Sequence, residues 1–315
     1  MINRSLRGQA ITKARVTIGL AVYNGSNYLR QAIDSILAQT FTDFELIISD
    51  NASTDGTREI CLEYAGRDER IRYHRNPANI GGANNENQTF RMAQSEYFRL
   101  AAHDDYLAST LLEKCVAVLD ARPEVILAYP HTVEIDAEGC VTNVKDLRKG
   151  MAARASDRFR ELAFNDHHCE PTYGLVRADV MRRTRLQQNY TGSDRVLLCE
   201  LALYGPFHEI AEPLFYKRYH QANAYLDWRS RISWFNPTWR GRISVPHWQQ
   251  FFDFITTIQR VHLPLSERLR CYGTLAHWLA LYGRRMIKDL IVAGYMLLHT
   301  RRWREHKAIT NWEVQ

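Results

Sequence analysis

Three times in its first hundred residues the chain runs from an apolar, β-rich stretch through polar turn residues into helical periodicity, and a fourth such stretch follows. Residues 15–22 end in Tyr23-Asn24-Gly25-Ser26 before a helix over 28–39, and 44–50 end in Asn51-Ala52-Ser53-Thr54-Asp55-Gly56 before a helix over 57–66. A short strand over 71–74 leads through the turn-rich 76–82 to a helix over 83–94, and 97–102 is the fourth strand. Strands that alternate with helices of this length are joined by right-handed crossovers, which predicts an α/β fold with a mainly parallel sheet flanked by helices. Parallel strands bring their carboxyl ends to one edge, and ligands of open α/β sheets bind in the crevice there.

Three strands end in ligand-competent residues: Tyr23-Asn24, Asp50-Asn51 and His103-Asp104-Asp105. A lone Asp after a strand is an ordinary helix cap. Three such ends at one edge predict a binding crevice, and adjacent carboxylates suit Mn²⁺ or Mg²⁺ bridging to phosphate oxygens. The first turn carries no Gly-x-Gly-x-x-Gly and the chain has no Gly-Lys-Ser/Thr, so dinucleotide and P-loop readings fail. A nucleotide held through a metal and carboxylates remains.

These residues resemble a family 2 glycosyltransferase of the inverting type with the GT-A, Rossmann-like fold, over about residues 14–225. The family opens on a strand running into Tyr-Asn, here Tyr23-Asn24, with Ala21 where a proline is usual. Its second strand typically ends in a block such as Ser49-Asp50-Asn51-Ala52-Ser53-Thr54-Asp55-Gly56-Thr57. The resemblance implies that Asp50 contacts the nucleotide base, and that Asn79 and Gly81 belong to the loop approaching the nucleotide. It also implies that Asp104 faces the ribose and that Asp105 ligates the metal. Many members carry a further Asp at the position of Ala102.

Beyond the double Asp the acceptor side begins, with a helix over 108–122 and strands over 125–129 and 132–136 around Pro130-His131. The cluster Asp166-His167-His168-Cys169-Glu170 reads as a polar loop lining the acceptor cleft, since adjacent residues rarely form a compact metal site. Asp194 precedes an apolar helix over 196–204, where physics alone makes it an N-cap. The resemblance implies the general base at such a loop-helix junction, so Asp194 is the candidate catalyst. Strands over 207–210 and 214–219 close this half. Lys217 or Arg218 is the candidate cation against the diphosphate, and His220 a phosphate or metal contact or an ordinary solvated histidine.

The net charge of +6 is uneven: from Trp228 onward 14 Lys+Arg stand against 5 Asp+Glu, and all seven tryptophans lie there. A joint shift in charge and aromatic content predicts a boundary near Asp227. The expected organisation is a flexible 1–13, a catalytic domain over 14–227 with donor (14–107) and acceptor (108–227) halves, and a basic, Trp-rich helical extension over 228–315. Helices are expected over 247–260, 266–282 and 284–298. Their Trp and Arg suit an anionic bilayer surface, packing on the catalytic domain, or a homodimer contact. No stretch reads as a secretory signal or membrane span, and the six cysteines lack paired spacing, so a reduced, cytoplasmic chain is expected, on the inner face of the membrane if the tail binds lipid.

Together these readings predict a metal-assisted transferase, of the hexosyltransferase type, moving a sugar from a UDP-, dTDP- or GDP-type donor to a hydroxyl on a glycan or lipid-linked glycan. A sugar nucleotidyltransferase is the first rival, although residues 23–28 offer no Lys or Arg for a triphosphate. A non-catalytic carbohydrate- or membrane-binding module is the second, and the retained Asp50, Asp104, Asp105 and Asp194 weigh against it. Nucleic acid is not an expected partner, as no recognised module accompanies the basic tail.

Overall fold

The computed structural model describes residues 14–164, 168–220, 235 and 244–298. The expectation for 1–13 and those resting on Asp166, His167, Trp228, Trp234, Trp239, Trp303 and Trp312 lie outside the described residues.

The first half follows the periodicity. Strands β1 (Val16–Val22), β2 (Phe44–Asp50), β3 (Ile71–Arg75) and β4 (Tyr97–Ala102) alternate with helices α1 (Leu29–Leu37), α2 (Thr57–Arg67) and α3 (Gly82–Met92). They pair in parallel in the order β3-β2-β1-β4. β1 and β2 are buried on both faces, as their nearly unbroken apolar runs require of a covered parallel sheet.

The second half completes a nine-stranded mixed sheet. β5 (Tyr106–Leu107), α4 (Leu111–Ala121), β6 (Leu127–Ile135), β7 (Val141–Lys145), α5 (Ala155–Ala163), β8 (Leu175–Arg177), α6 (Ala178–Arg183), α7 (Ser193–Tyr204) and β9 (Phe207–Arg218) follow in order. β8 runs antiparallel between β4 and β6, and β6 pairs in parallel with β9, which holds the short β5 at the far edge. Each pair of short strands expected around a proline is one continuous strand. The β6/β9 register shifts at Pro130/His131 and His131 pairs with Pro213, so both prolines sit where a bulge already interrupts the ladder.

Helices α1, α2 and α4 cover one face through Ile33, Ile36, Ile60, Leu112 and Leu119. On the other face one core joins Phe90, Phe159, Leu162, Leu197 and Leu201 to α8 (Pro246–Arg260) and α9 (Leu265–Leu298) through Phe254, Ile258, Leu275 and Trp278. The two helices expected over 266–282 and 284–298 are therefore one helix of 34 residues that runs through Gly283. A single mid-helix glycine costs about 1 kcal/mol, too little to stop a helix anchored by packing. Trp278 is 0% exposed and stacks on Tyr282 at 4.7 Å, so this tryptophan serves the core and no interface.

Candidate functional site

The first two strand-end loops are bound to each other. Successive backbone N–H groups of Asn24, Gly25 and Ser26 donate to Ser53 Oγ (2.9 Å), Thr57 Oγ1 (2.9 Å) and Asp55 (3.1 Å). In return Asn24 Oδ1 accepts from the Thr54 N–H at 2.8 Å. The polar block after β2 thus acts first as a brace. Gly25 is required at this crossing, because a Cβ there would lie 2.4 Å from the His103 ring. That close approach seats the first loop against the double Asp. Tyr23 stays exposed at its rim.

Asp50 is fully buried and accepts from the Ser53 N–H (2.8 Å), the Tyr73 hydroxyl (2.8 Å) and Arg75 Nη1 (2.5 Å). Burial alone would raise its carboxyl, but hydrogen bonds from Ser53, Tyr73 and Arg75 outweigh it and hold the group below the usual carboxylate range. Its direct neighbour toward solvent is the half-exposed Arg75, whose other arm donates to the Ser53 carbonyl at 2.9 Å. Asn79 accepts from Asn51 Nδ2 and from the Gly81 N–H, both at 2.9 Å, which fixes the turn into α3.

At the end of β4 the two carboxylates point to different partners. Asp104 accepts from His220 Nε2 at 3.1 Å, whereas Asp105 Oδ1 accepts the Arg218 N–H at 2.8 Å. Burial raises both carboxyls. At Asp104 the His220 hydrogen bond overcomes it, while at Asp105 the Asp104 charge adds to it and holds the group above the usual carboxylate range. Adjacent carboxylates just past the carboxyl end of β4 are hard oxygen donors of the kind that suit a divalent cation. The compact trio of potential ligands among the described residues is a different one, His131, Asp146 and Glu209. There Glu209 accepts the N–H groups of Leu147 (2.8 Å) and Arg148 (3.1 Å), and Asp146 pairs with Arg148, so the trio braces the turn after β7.

The two candidate cations part company. Arg218 is buried, with Nε on the Asp104 carbonyl (3.0 Å), Nη1 on the Asp136 and Ala137 carbonyls, Nη2 on Gln31, and its plane over the Tyr28 ring. It pins the double Asp to the body of the domain. Lys217 is half-buried, its ammonium 5.6 Å from the Tyr219 ring centroid and within Coulombic reach of Asp105 and Glu170.

In the second half α7 begins at Ser193, two residues before Arg195 and earlier than its apolar run suggests. Its N-cap is Gly192, at φ +96°, and carries no side-chain cap. Asp194 therefore lies inside the first turn and accepts the Arg195 N–H at 2.8 Å; the capping reading of this residue does not hold. Beside it lie Cys169 and Glu86. Burial, then the charge of Asp194, pushes Glu86 up to about 8, and one Glu86 oxygen is buried without a hydrogen-bond partner among the described residues. From the loop expected to line the acceptor cleft, Glu170 is buried and paired with Lys145 at 3.3 Å.

Tyr173 feels carboxylates from both halves of the chain. Burial and then the charges of Glu86, Asp105, Asp104 and Asp194 all raise its hydroxyl, so the four carboxylates lie within Coulombic reach of one buried tyrosine. Glu86 and Tyr173 were not legible as site residues, since α3 and the 3-10 turn at Glu170–Tyr173 carry no motif. Arg99, in the middle of apolar β4, was missed as well, although a charge in a buried strand calls for a partner.

The glycosyl transferase family 2 model matches residues 17–185. Over 105 residues the chain is 35% identical to an uncharacterized glycosyltransferase of Rickettsia typhi, covering 33% of this chain and 32% of that one. Over 124 residues it is 36% identical to one of Haemophilus influenzae, covering 39% and 49%. The chain spans less than half the length of these curated relatives. Among solved structures, Staphylococcus aureus TarS 1–349 in complex with UDP matches with a TM-score of 0.62 at 13% identity, over 84% of this chain and 72% of that one. The same protein in complex with UDP-GlcNAc matches at 0.57 and 15%, over 91% and 92%.

Proposed function

The chain belongs to glycosyl transferase family 2, with the GT-A fold, and from that premise we propose that it transfers a sugar from a nucleoside diphosphate sugar to a hydroxyl acceptor with inversion. The observation that supports this reading is that Asp104 and Asp105 after β4 and Asp194 in the first turn of α7 all lie within Coulombic reach of the buried Tyr173. A donor anchored at the end of β4 then presents its anomeric carbon to an acceptor resting at the start of α7.

In this reading Tyr23 and the braced Asn24 loop flank the nucleotide, the Asn79–Gly81 turn closes its side, and Asp50 with Arg75 forms the wall toward the base. Asp105 holds Mn²⁺ or Mg²⁺, with Asp104 toward the ribose and His220 fixing the Asp104 carboxylate. When bound, the cation supplies positive charge against the leaving diphosphate. Lys217 adds a second positive charge, and Arg218 keeps Asp104 and Asp105 in place. Asp194 takes the acceptor's proton as its oxygen attacks the anomeric carbon opposite the diphosphate, and one displacement gives inversion.

The braced first loop also argues against a sugar nucleotidyltransferase. A triphosphate cradle needs free backbone N–H groups, and those of Asn24, Gly25 and Ser26 are already donated to Ser53, Thr57 and Asp55. The acceptor in this proposal is a glycan or lipid-linked glycan, reached with the chain peripheral to an anionic membrane. Support comes from the exposed Ile287, Leu290, Ile291 and Leu297, which repeat at helical spacing on α9 beside Arg284, Arg285 and Lys288. No described helix is long and apolar enough to cross a membrane.

The test is a panel of UDP-, dTDP- and GDP-sugars assayed for metal-dependent release of the nucleoside diphosphate, with Asp105→Asn beside the parent. Release that needs Mn²⁺ or Mg²⁺ in the parent and vanishes in the variant is expected. Pyrophosphate-dependent turnover, or none with any donor, sinks the proposal.

A further inference from the structure

Arg99 lies at the centre of β4, between Phe98 and Leu100, and its side chain is 0% exposed. Its Nε and both Nη nitrogens have no hydrogen-bond partner among the described protein atoms. The guanidinium rests over Phe215, its carbon 5.3 Å from the ring centroid. A cation-π contact of this kind falls well short of replacing the hydration of a buried guanidinium. Burial draws its pKa down only to about 10, so the group is charged at neutral pH.

Arg99 lines a small cavity with Ser35, Asp105, Leu107 and Phe215, with about 10 Å³ of room for a water, roughly one molecule. Ser35 is already engaged, donating to the Ala32 carbonyl (2.8 Å) and accepting the Leu107 N–H (3.2 Å). Cys115 turns its thiol to the Ala128 carbonyl. Asp105 is the lining residue of opposite charge, and its hydrogen bond from Arg218 engages Oδ1 alone.

We propose that Arg99 is a positioning residue for Asp105, joined to it through water held in this cavity. The guanidinium supplies donors, the carboxylate supplies lone pairs, and the water satisfies both while filling the polar space. Arg218 then holds Asp105 from the cleft side of the strand and Arg99 holds it from the core. The carboxylate is fixed before any cation arrives. The effect on cation binding rests on the function proposed above, whereas the Arg99–Asp105 link does not.

Two measurements on the full chain test this. The first is a metal-free thermal double-mutant cycle with Arg99→Met and Asp105→Asn. Asp105→Asn should lower the midpoint by about 2 °C or more in the parent, and should be neutral or raise it in the Arg99→Met background. Additive shifts overturn the link. The second titrates Mn²⁺ by electron paramagnetic resonance with UDP, dTDP or GDP present. Arg99→Met should weaken Mn²⁺ roughly 10- to 100-fold, the usual effect of losing a group that orients a ligand. Arg99→Lys, which keeps a donor and the charge, should recover part of it. Should Arg99→Met lower the midpoint sharply and bind Mn²⁺ as the parent does, Arg99 is only structural and the proposal falls. A parent that takes no Mn²⁺ with any of the three nucleotides overturns the metal reading above, and the cycle then decides the link alone.

Discussion

Arg218 holds Asp105 by its backbone and Asp104 by its side chain, with the N–H at 2.8 Å from Asp105 Oδ1 and Nε at 3.0 Å from the Asp104 carbonyl. Its neighbour Lys217 has no such commitment to the domain body. Arg218→Lys should therefore lower stability by about 3 kcal/mol, as several hydrogen bonds from a buried charge are lost at once. Lys217→Gln should leave the urea midpoint unchanged and weaken nucleoside diphosphate binding about tenfold, or ~1.4 kcal/mol. Chemical denaturation and calorimetry on both variants separate the roles; the reverse pattern would exchange them.

Asp194 lies within the first turn of α7, so its charge interacts with the helix dipole without capping the helix. Asp194→Asn keeps an oxygen for the Arg195 N–H and should cost about 0.3–1 kcal/mol of stability. Transfer should fall by roughly 10² to 10⁴, because the amide cannot take a proton. The donor's dissociation constant should hold. A variant that turns over within a few-fold of the parent moves the base elsewhere, and Glu86 is then the next carboxylate to replace.

Glu86 gives the fold a pH signature. Its pKa is raised from 4.5 to about 8, first by burial and then by Asp194, so between those values the folded chain binds a proton that the unfolded chain has released. Stability from this group therefore falls as pH rises from about 5 to 8. Glu86→Gln should flatten that slope: the parent should lose thermal midpoint relative to the variant across this range. Parallel profiles for the two proteins would show that Glu86 titrates as an ordinary carboxylate.

The apolar stripe on α9 can be tested without disturbing the core it shares with α5 and α7. Intact protein should sediment with anionic vesicles at low salt and dissociate as the Debye length shrinks below ~8 Å. Ile287→Glu with Ile291→Glu, both exposed, should abolish binding and leave unfolding unchanged. A chain that ignores vesicles yet sizes as two copies gives the stripe to a second copy.

Much of the donor half was legible because its signals are local. Periodicity of two and 3.6 sets β1 to β4 and their helices, and Asp50, Asn79, Gly81, Asp104 and Asp105 all fall at the carboxyl edge that parallel pairing creates. The acceptor half was less so, because its determinants are long-range. Pro130 and Pro213 look like strand ends until the β6/β9 bulge joins them, and Gly283 looks like a break until packing carries α9 through it. Trp278 looks interfacial until α8 and α5 enclose it. Composition reports that a residue is apolar; only the fold decides what covers it.

The brace between the first two loops has a kinetic consequence. Residues 23–26 have their shape fixed by Ser53, Thr54, Asp55 and Thr57 in the folded chain, so this part of the proposed nucleotide pocket does not have to be ordered when a ligand arrives. Immobilising a loop on binding ordinarily costs affinity and slows association. Here the conformational entropy of that loop is lost in folding, and a nucleotide bound as proposed meets a rigid wall. Differences in affinity among nucleotides should then lie in how fast each one leaves.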